Sequence, residues 1–237
     1  MPSLRGMHRM SEIQLLVFDL DGTLVDSSGD IAASINFTRE SRGLPVMDVA
    51  VIRSHLGDGA RQLVQRCFPE LTGDEAEGEE LDLALAAFRE HYTEHCTDLT
   101  EAYAGVMETL ERLKSRYRMG VLTNKYRAAS VIILERLGLL PFFEIVVGGD
   151  GPCLKPCPDG LLGIVQSLKL DTKNIVMIGD HHTDLEAGRR AGVKTIFCEY
   201  GFGIRGEEHP DAVIAQFSDL SSVLPELSGT GRDQFQR

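Results

Sequence analysis

The sequence predicts an α/β protein, a doubly wound parallel sheet with an inserted all-helical cap, and three observations carry that reading. An apolar run over residues 13–18 ends abruptly at two carboxylates, Asp19 and Asp21, with Gly22 and Thr23 after them. Such a run reads as a buried strand of a parallel sheet, covered on both faces. From Gly105 onward, short apolar runs alternate with segments at helical spacing, the βαβ rhythm of a parallel sheet with right-handed crossovers. Between these parts, residues 28–100 carry apolar positions at helical spacing and no strand signal, so they form a helical cap packed on itself. The predicted division is a core of 13–27 with 101–227, a cap of 28–100, a flexible extension over 1–12 and a disordered tail over 228–237.

Each element has its own local reason. A helix over 30–42 is ended by Gly43 and Pro45. Val49, Ile52 and Leu56 fall on one helical face, Gly57-Asp58-Gly59 interrupts it, and Leu63, Val64, Cys67 and Phe68 resume it. An acidic connection over 69–78 leads to a long helix marked by Leu81, Leu85, Phe88 and Tyr92. In the core, helices are predicted over 106–116, 128–137, 158–168 and 185–191. Gly138 and Gly192 close two of them, and Pro158 opens a third. Strands over 119–122, 144–147, 175–178 and 195–197 alternate with these helices. A short strand over 212–214 and a helix over 218–224 follow.

Composition excludes several classes. A hydrophobic content of 43% and a charged content of 25% are those of a soluble globular protein. No apolar run approaches the roughly 20 residues of a membrane span, and the basic first ten residues lack the apolar segment of a signal peptide. A net charge of −12 argues against nucleic acid and membrane as partners. The expected partner is a small molecule, and the expected state is a monomer or homodimer. Cys67, Cys96, Cys153, Cys157 and Cys198 form an odd, scattered set, which predicts free thiols in a reducing cytoplasm. Cys153 and Cys157 bracket Lys155 without a second ligand pair nearby for zinc.

The chemistry starts at Asp19 and Asp21. Side chains at i and i+2 of an extended segment point the same way, and adjacent carboxylates repel unless a cation or shared proton holds them. Magnesium takes oxygen ligands and leaves room for a phosphate. Gly22 permits a sharp turn. The stretch Asp19-Leu20-Asp21-Gly22-Thr23-Leu24-Val25-Asp26-Ser27, after an apolar strand, resembles the haloacid dehalogenase-like phosphatases. Three further parts of that family's pattern follow in order: Leu122-Thr123-Asn124-Lys125, then Lys155-Pro156, then Gly179-Asp180 with Asp184. The resemblance covers about residues 13–225.

That resemblance implies a magnesium-dependent hydrolase of small phosphate monoesters. Asp19 would be the nucleophile, forming an aspartyl-phosphate, and Asp21 the general acid and then base. Magnesium would be held by Asp19, the Asp21 backbone carbonyl and Asp180. Asp184 would support the metal or orient Lys155. The Thr123 hydroxyl, the Asn124 backbone N–H, Gly22 and Lys155 would hold the phosphoryl group.

Within the cap, Leu56-Gly57-Asp58-Gly59-Ala60-Arg61-Gln62-Leu63 resembles the cap loop of phosphoglycolate phosphatases. Gly148-Gly149-Asp150 and Tyr200-Gly201-Phe202-Gly203 are similar to that group too. The implied leading substrate is 2-phosphoglycolate, with Gly57, Asp58, Gly59 and Arg61 setting specificity. Arg61 would meet the substrate carboxylate, with Asp58 able to pair with it. Asp58 stands where a neutral polar residue is expected, and Tyr126 where proline is common. The rival readings are a phosphosugar phosphatase and a phosphosugar mutase on the same fold. A non-catalytic phospho-ligand binding module is weaker still, because binding needs no nucleophile. His181 and His182, directly after Asp180, read as an exposed loop pair rather than as ligands or proton carriers.

Overall fold

Four residues with no exposed surface, Leu15–Phe18, form β1 at the centre of the sheet. The structure, a computed structural model, describes residues 13–71 and 77–228. After β1 come β2 (Val25–Asp26), α1 (Ser28–Ser41), α2 (Val49–Arg53), α3 (Ala60–Cys67), α4 (Glu77–His95) and β3 (Glu101–Ala102). Then follow α5 (Val106–Leu113), β4 (Arg118–Leu122), α6 (Arg127–Arg136), β5 (Ile145–Val147) and α7 (Asp159–Leu168). The chain continues through β6 (Ile175–Gly179), α8 (His182–Ala191), β7 (Lys194–Cys198), β8 (Ala212–Ile214) and α9 (Leu220–Leu227).

Among the described residues the main sheet has six strands in the order β5-β4-β1-β6-β7-β8, and every neighbouring pair is parallel. Successive side chains of a strand face opposite sides. Leu15 and Val17 pack with Leu161 and Ile164 of α7, while Leu16 and Phe18 pack in the cluster that holds Leu110 of α5 and Leu220 of α9. Both faces are covered, so the β1 sequence is apolar throughout instead of alternating. From β1 the chain builds outward in both directions, through β4 and β5 on one side and β6 to β8 on the other. Ligands of such sheets bind beyond the strand carboxyl ends where this order reverses. The register brings those ends level, because Phe18 pairs with both Val121 and Ile178. Asp19, Thr123 and Asp180 therefore emerge along one edge.

Between Asp26 and Glu101 every described element is helical. Phe88 and Tyr92 of α4 stack with ring centroids 5.6 Å apart, and Leu63, Val64, Cys67 and Phe68 are buried. The single face expected for Val49, Ile52 and Leu56 is broken. The helix stops at Arg53, Val49 is exposed, and Leu56 reaches the core from the loop beyond. The sequence also gave no sign of the antiparallel ribbon in which Val25 pairs with Ala102 and Asp26 with Glu101. Two-residue strands are too short to show a period.

The ribbon is reinforced by Asp30, which is 1% exposed. Its carboxylate accepts the backbone N–H groups of Leu99 and Thr100 at 2.9 Å each and the Thr100 hydroxyl at 2.6 Å. Hydrogen bonds to a charged group each contribute about 1.5–3 kcal/mol. Asp30→Asn keeps the shape but loses one acceptor oxygen and the charge, so we expect a loss of about 2 kcal/mol. A urea midpoint equal to the parent's would contradict this.

Two expectations are corrected. Cys153 and Cys157 are joined as a disulfide rather than free. They sit on one tight loop with Cα atoms 5.9 Å apart, within bridging range. Cys67, Cys96 and Cys198 are free and buried. Ser228, assigned to the tail, is buried and donates its hydroxyl to the Leu224 carbonyl at 2.9 Å. The remaining tail and the extension over 1–12 lie outside the described residues. Among the described residues, no helix is long and apolar enough to cross a membrane.

Candidate active site

The loops leaving β1, β4 and β6, together with the loop before α7, bring Asp19, Thr123, Asn124, Lys155, Asp180 and Asp184 together, all of them buried. Lys155 is the hub. Its Nζ lies 2.8 Å from Asp19 Oδ1 and 2.6 Å from Asp184 Oδ1, and it donates to the Leu122 carbonyl at 2.9 Å. Asn124 fixes the lysine's backbone: its Oδ1 accepts Lys155 N–H at 2.8 Å and its Nδ2 donates to the Lys155 carbonyl at 3.0 Å. The same Nδ2 donates to the Gly57 carbonyl at 3.0 Å, tying the cap loop to the sheet.

Asp180 is held from three sides. Its Oδ2 accepts N–H bonds from Phe202 at 3.1 Å and Gly203 at 2.7 Å, and its Oδ1 accepts the Thr23 hydroxyl at 3.3 Å. Gly22, expected to bind phosphate, has φ +83°, and a Cβ there would stand 2.0 Å from Asp180 Oδ2. Only glycine fits both the left-handed conformation and this close approach. Asp184 Oδ2 accepts the His181 backbone N–H at 3.0 Å. Both Asp184 oxygens are thus engaged, one on Lys155 and one on the His181 backbone.

Burial sets the electrostatics first. It raises Asp19 to about 6, with Asp184 and Asp21 adding to the effect and Lys155 opposing it. It also holds Asp180 well above the usual carboxylate range, helped by Asp19 and Asp184. For Lys155 burial works downward, yet the Asp184 and Asp19 carboxylates outweigh it and raise the ammonium above the usual lysine range. One oxygen each of Asp19, Asp180 and Asp184 lies within 4.8 Å of the others, and Asp19 Oδ1 receives no well-directed hydrogen bond although Lys155 is close. Three buried carboxylates facing one lysine, with all-oxygen donors, fit a hard divalent cation.

Asp21 faces a second lysine, Lys125, to which the sequence pattern assigns no role. Lys125 Nζ bonds both Asp21 carboxylate oxygens at 2.8 Å, and the Ser27 hydroxyl donates to the same group. Lys125 also sits 4.7 Å above the Tyr92 ring of α4. A chain of contacts therefore runs from the cap through Tyr92 and Lys125 to Asp21. Its only sequence signal was the position of Lys125 next to Thr123-Asn124. Tyr92 and Phe88, read as core, also line a cavity over Asp19 and Asp21.

The cap residues divide. Gly57 and Gly59 line this cavity. Arg61 does not: it is exposed and pairs with Asp82 of α4, because the first turn of α3 points it along the cap surface. Asp58 pairs with Arg66 at 2.7 Å, not with Arg61. His181 is also corrected. It is buried at the start of α8, lines the cavity, and is lowered to about 4 by burial and by His182.

A family model described as haloacid dehalogenase-like hydrolase matches residues 16–198. The phosphoglycolate phosphatase of Chromobacterium violaceum is 35% identical over 217 residues, covering 91% of this chain and 98% of that protein. That of Aquifex aeolicus is 32% identical over 215 residues, covering 90% and 97%. Among solved structures, a predicted phosphoglycolate phosphatase from Haemophilus somnus superposes with a TM-score of 0.82 at 30% identity, covering 90% of this chain and 99% of its own. A haloacid dehalogenase-like hydrolase from Bacteroides fragilis shares the fold at TM-score 0.80 and 23% identity. The family match runs from β1 to the end of β7 and takes in every loop that supplies the buried carboxylates, and this chain belongs to the haloacid dehalogenase-like hydrolases.

Proposed function

We propose that the protein is a magnesium-dependent phosphomonoester phosphatase working through an aspartyl-phosphate, with 2-phosphoglycolate as its leading substrate. The observation that carries this reading is Asp19, a buried carboxylate at a strand end that faces the cavity, with Lys155 2.8 Å from it. An Asp19 oxygen attacks phosphorus as the bond to the leaving alkoxide breaks, and Asp21 supplies the proton that the alkoxide takes up. Water then attacks the aspartyl-phosphate, Asp21 accepts its proton, and inorganic phosphate leaves. Lys155 offsets charge on Asp19 and on the phosphoryl oxygens, and the Thr123 hydroxyl and Asn124 N–H hold those oxygens in place. Asp19, the Asp21 carbonyl and Asp180 would hold magnesium, which when bound supplies electrostatic stabilisation of the phosphoryl group.

The names of the relatives favour 2-phosphoglycolate. The geometry removes Arg61 as its carboxylate partner, since that side chain is exposed and tied to Asp82. Phosphate release from a panel of monoesters tests the reading. Exhaustive chelation is expected to lower the rate by about 10²-fold or more, because a metal contributes several kcal/mol to such transition states, and magnesium should restore it. An undiminished rate after chelation would sink the metal-dependent mechanism.

A further inference from the structure

His181 and His182 take no part in the chemistry above, yet the fold brings them to a cap residue. Asp58, His181 and His182 each offer a ligand atom, and these atoms all lie within 4.8 Å of one another. Asp58 belongs to the loop between α2 and α3, whereas the two histidines open α8 in the core. The rings of His181 and His182 are 4.2 Å apart between centroids.

The approach of the cap loop explains why a donor stays available. A Cβ on Gly57 would stand 2.8 Å from His181 Nε2 and 2.9 Å from both Cδ2 and Cε1. Near-equal distances to three neighbouring ring atoms place Gly57 over the ring face, not beyond its tip. The in-plane lone-pair direction of Nε2 is therefore left uncovered by Gly57. The other nitrogen, Nδ1, is 3.1 Å from the Thr183 hydroxyl and 3.5 Å from the Thr183 backbone nitrogen, so Nε2 keeps its lone pair free for a metal when the ring proton sits on Nδ1 and is given to the hydroxyl. A second bond of this kind orients a metal-binding imidazole and selects its tautomer.

We propose that Asp58, His181 and His182 form a second metal site, for a zinc-like divalent cation, that fastens the cap loop to the core. Two imidazoles and one carboxylate suit zinc, with the fourth position open, and do not suit magnesium, which takes oxygen ligands. Bonds to zinc of about 2.0–2.2 Å put tetrahedral ligand atoms roughly 3.3–3.6 Å apart, so the three atoms, now within 4.8 Å of one another, draw together as the ion binds. His182 and Asp58 are partly exposed side chains. Asp58 exchanges its partner Arg66, now at 2.7 Å, for the ion. A filled site would hold the loop at residues 57–59 against the α8 start, where Gly57 and Gly59 line the cavity.

The site is independent of the phosphatase reading, and so is its test. The full chain is titrated with zinc against a chromophoric chelator in excess magnesium, comparing the parent with His182→Ala and Asp58→Asn. The disulfide and the buried aspartates are the same in all three, so only this site differs. The parent should hold one zinc that each variant binds at least about tenfold more weakly. Cobalt in place of zinc should give the visible band of a nitrogen-ligated tetrahedral ion in the parent and not in His182→Ala. Equal zinc affinity and stoichiometry in all three proteins would overturn the proposal. Should His182→Ala fail to melt cooperatively, His182→Asn and Asp58→Asn carry the comparison with the same two outcomes.

Discussion

Asp19→Asn is expected to lower phosphate release by about 10⁴-fold or more, the scale on which losing a member of a covalent-catalytic unit is measured, while the fold persists. The amide has the shape of the carboxylate but is a poor nucleophile. The backbone bond from Asp19 N–H to the Ile178 carbonyl at 2.9 Å is untouched. Burial already disfavours the Asp19 charge, with Asp184 and Asp21 adding to it, so neutralising the side chain relieves repulsion inside the cluster. The variant's melting temperature should equal or exceed the parent's in the presence of chelator. Phosphate release near the parental rate from pure variant would mean that another residue attacks phosphorus.

Lys155→Met should have the largest effect on stability. The Lys155 side chain is 3% exposed and pairs with Asp19 and Asp184 at 2.8 and 2.6 Å. Methionine fills similar space without charge, leaving three converging carboxylates, Asp19, Asp180 and Asp184, without this cation. Breaking a buried ion pair by removing one partner costs about 3–5 kcal/mol, so the urea midpoint in chelator should fall accordingly. Activity should fall as well, because Lys155 also offsets charge on the phosphoryl group. Magnesium, which binds the folded cluster and not the unfolded chain, should recover part of the lost stability. A variant as stable as the parent in chelator would show that Lys155 does not hold the cluster together.

The sheet and its active edge were legible in the sequence because each depends on local pattern. The uninterrupted apolar run of β1 follows from burial on both faces, and the motifs at Asp19, Thr123 and Asp180 sit at the ends of strands that periodicity locates, with Lys155 in the loop before α7. What sequence did not show depends on how two distant surfaces meet. Arg61 directly follows Ala60, which lines the cavity, yet it pairs with Asp82 of α4. The Lys125 bond to Asp21 spans 104 residues, and no spacing rule reaches that far. His181 looked exposed because it follows a strand end in a polar stretch, but the cap loop at Gly57 covers it. Cys153 and Cys157 showed only their spacing, and the loop that brings them together lies between β5 and α7.

Passage of phosphorus through Asp19 can be caught by rapid acid quench of a single turnover with enzyme in excess. Substrate should disappear before inorganic phosphate appears, and in that interval the peptide containing Asp19 should carry the mass of one phosphoryl group, which the Asp19→Asn protein lacks. Substrate loss and phosphate appearance that coincide at every time point, with the Asp19 peptide unmodified throughout or the phosphoryl group found on another residue, would contradict it.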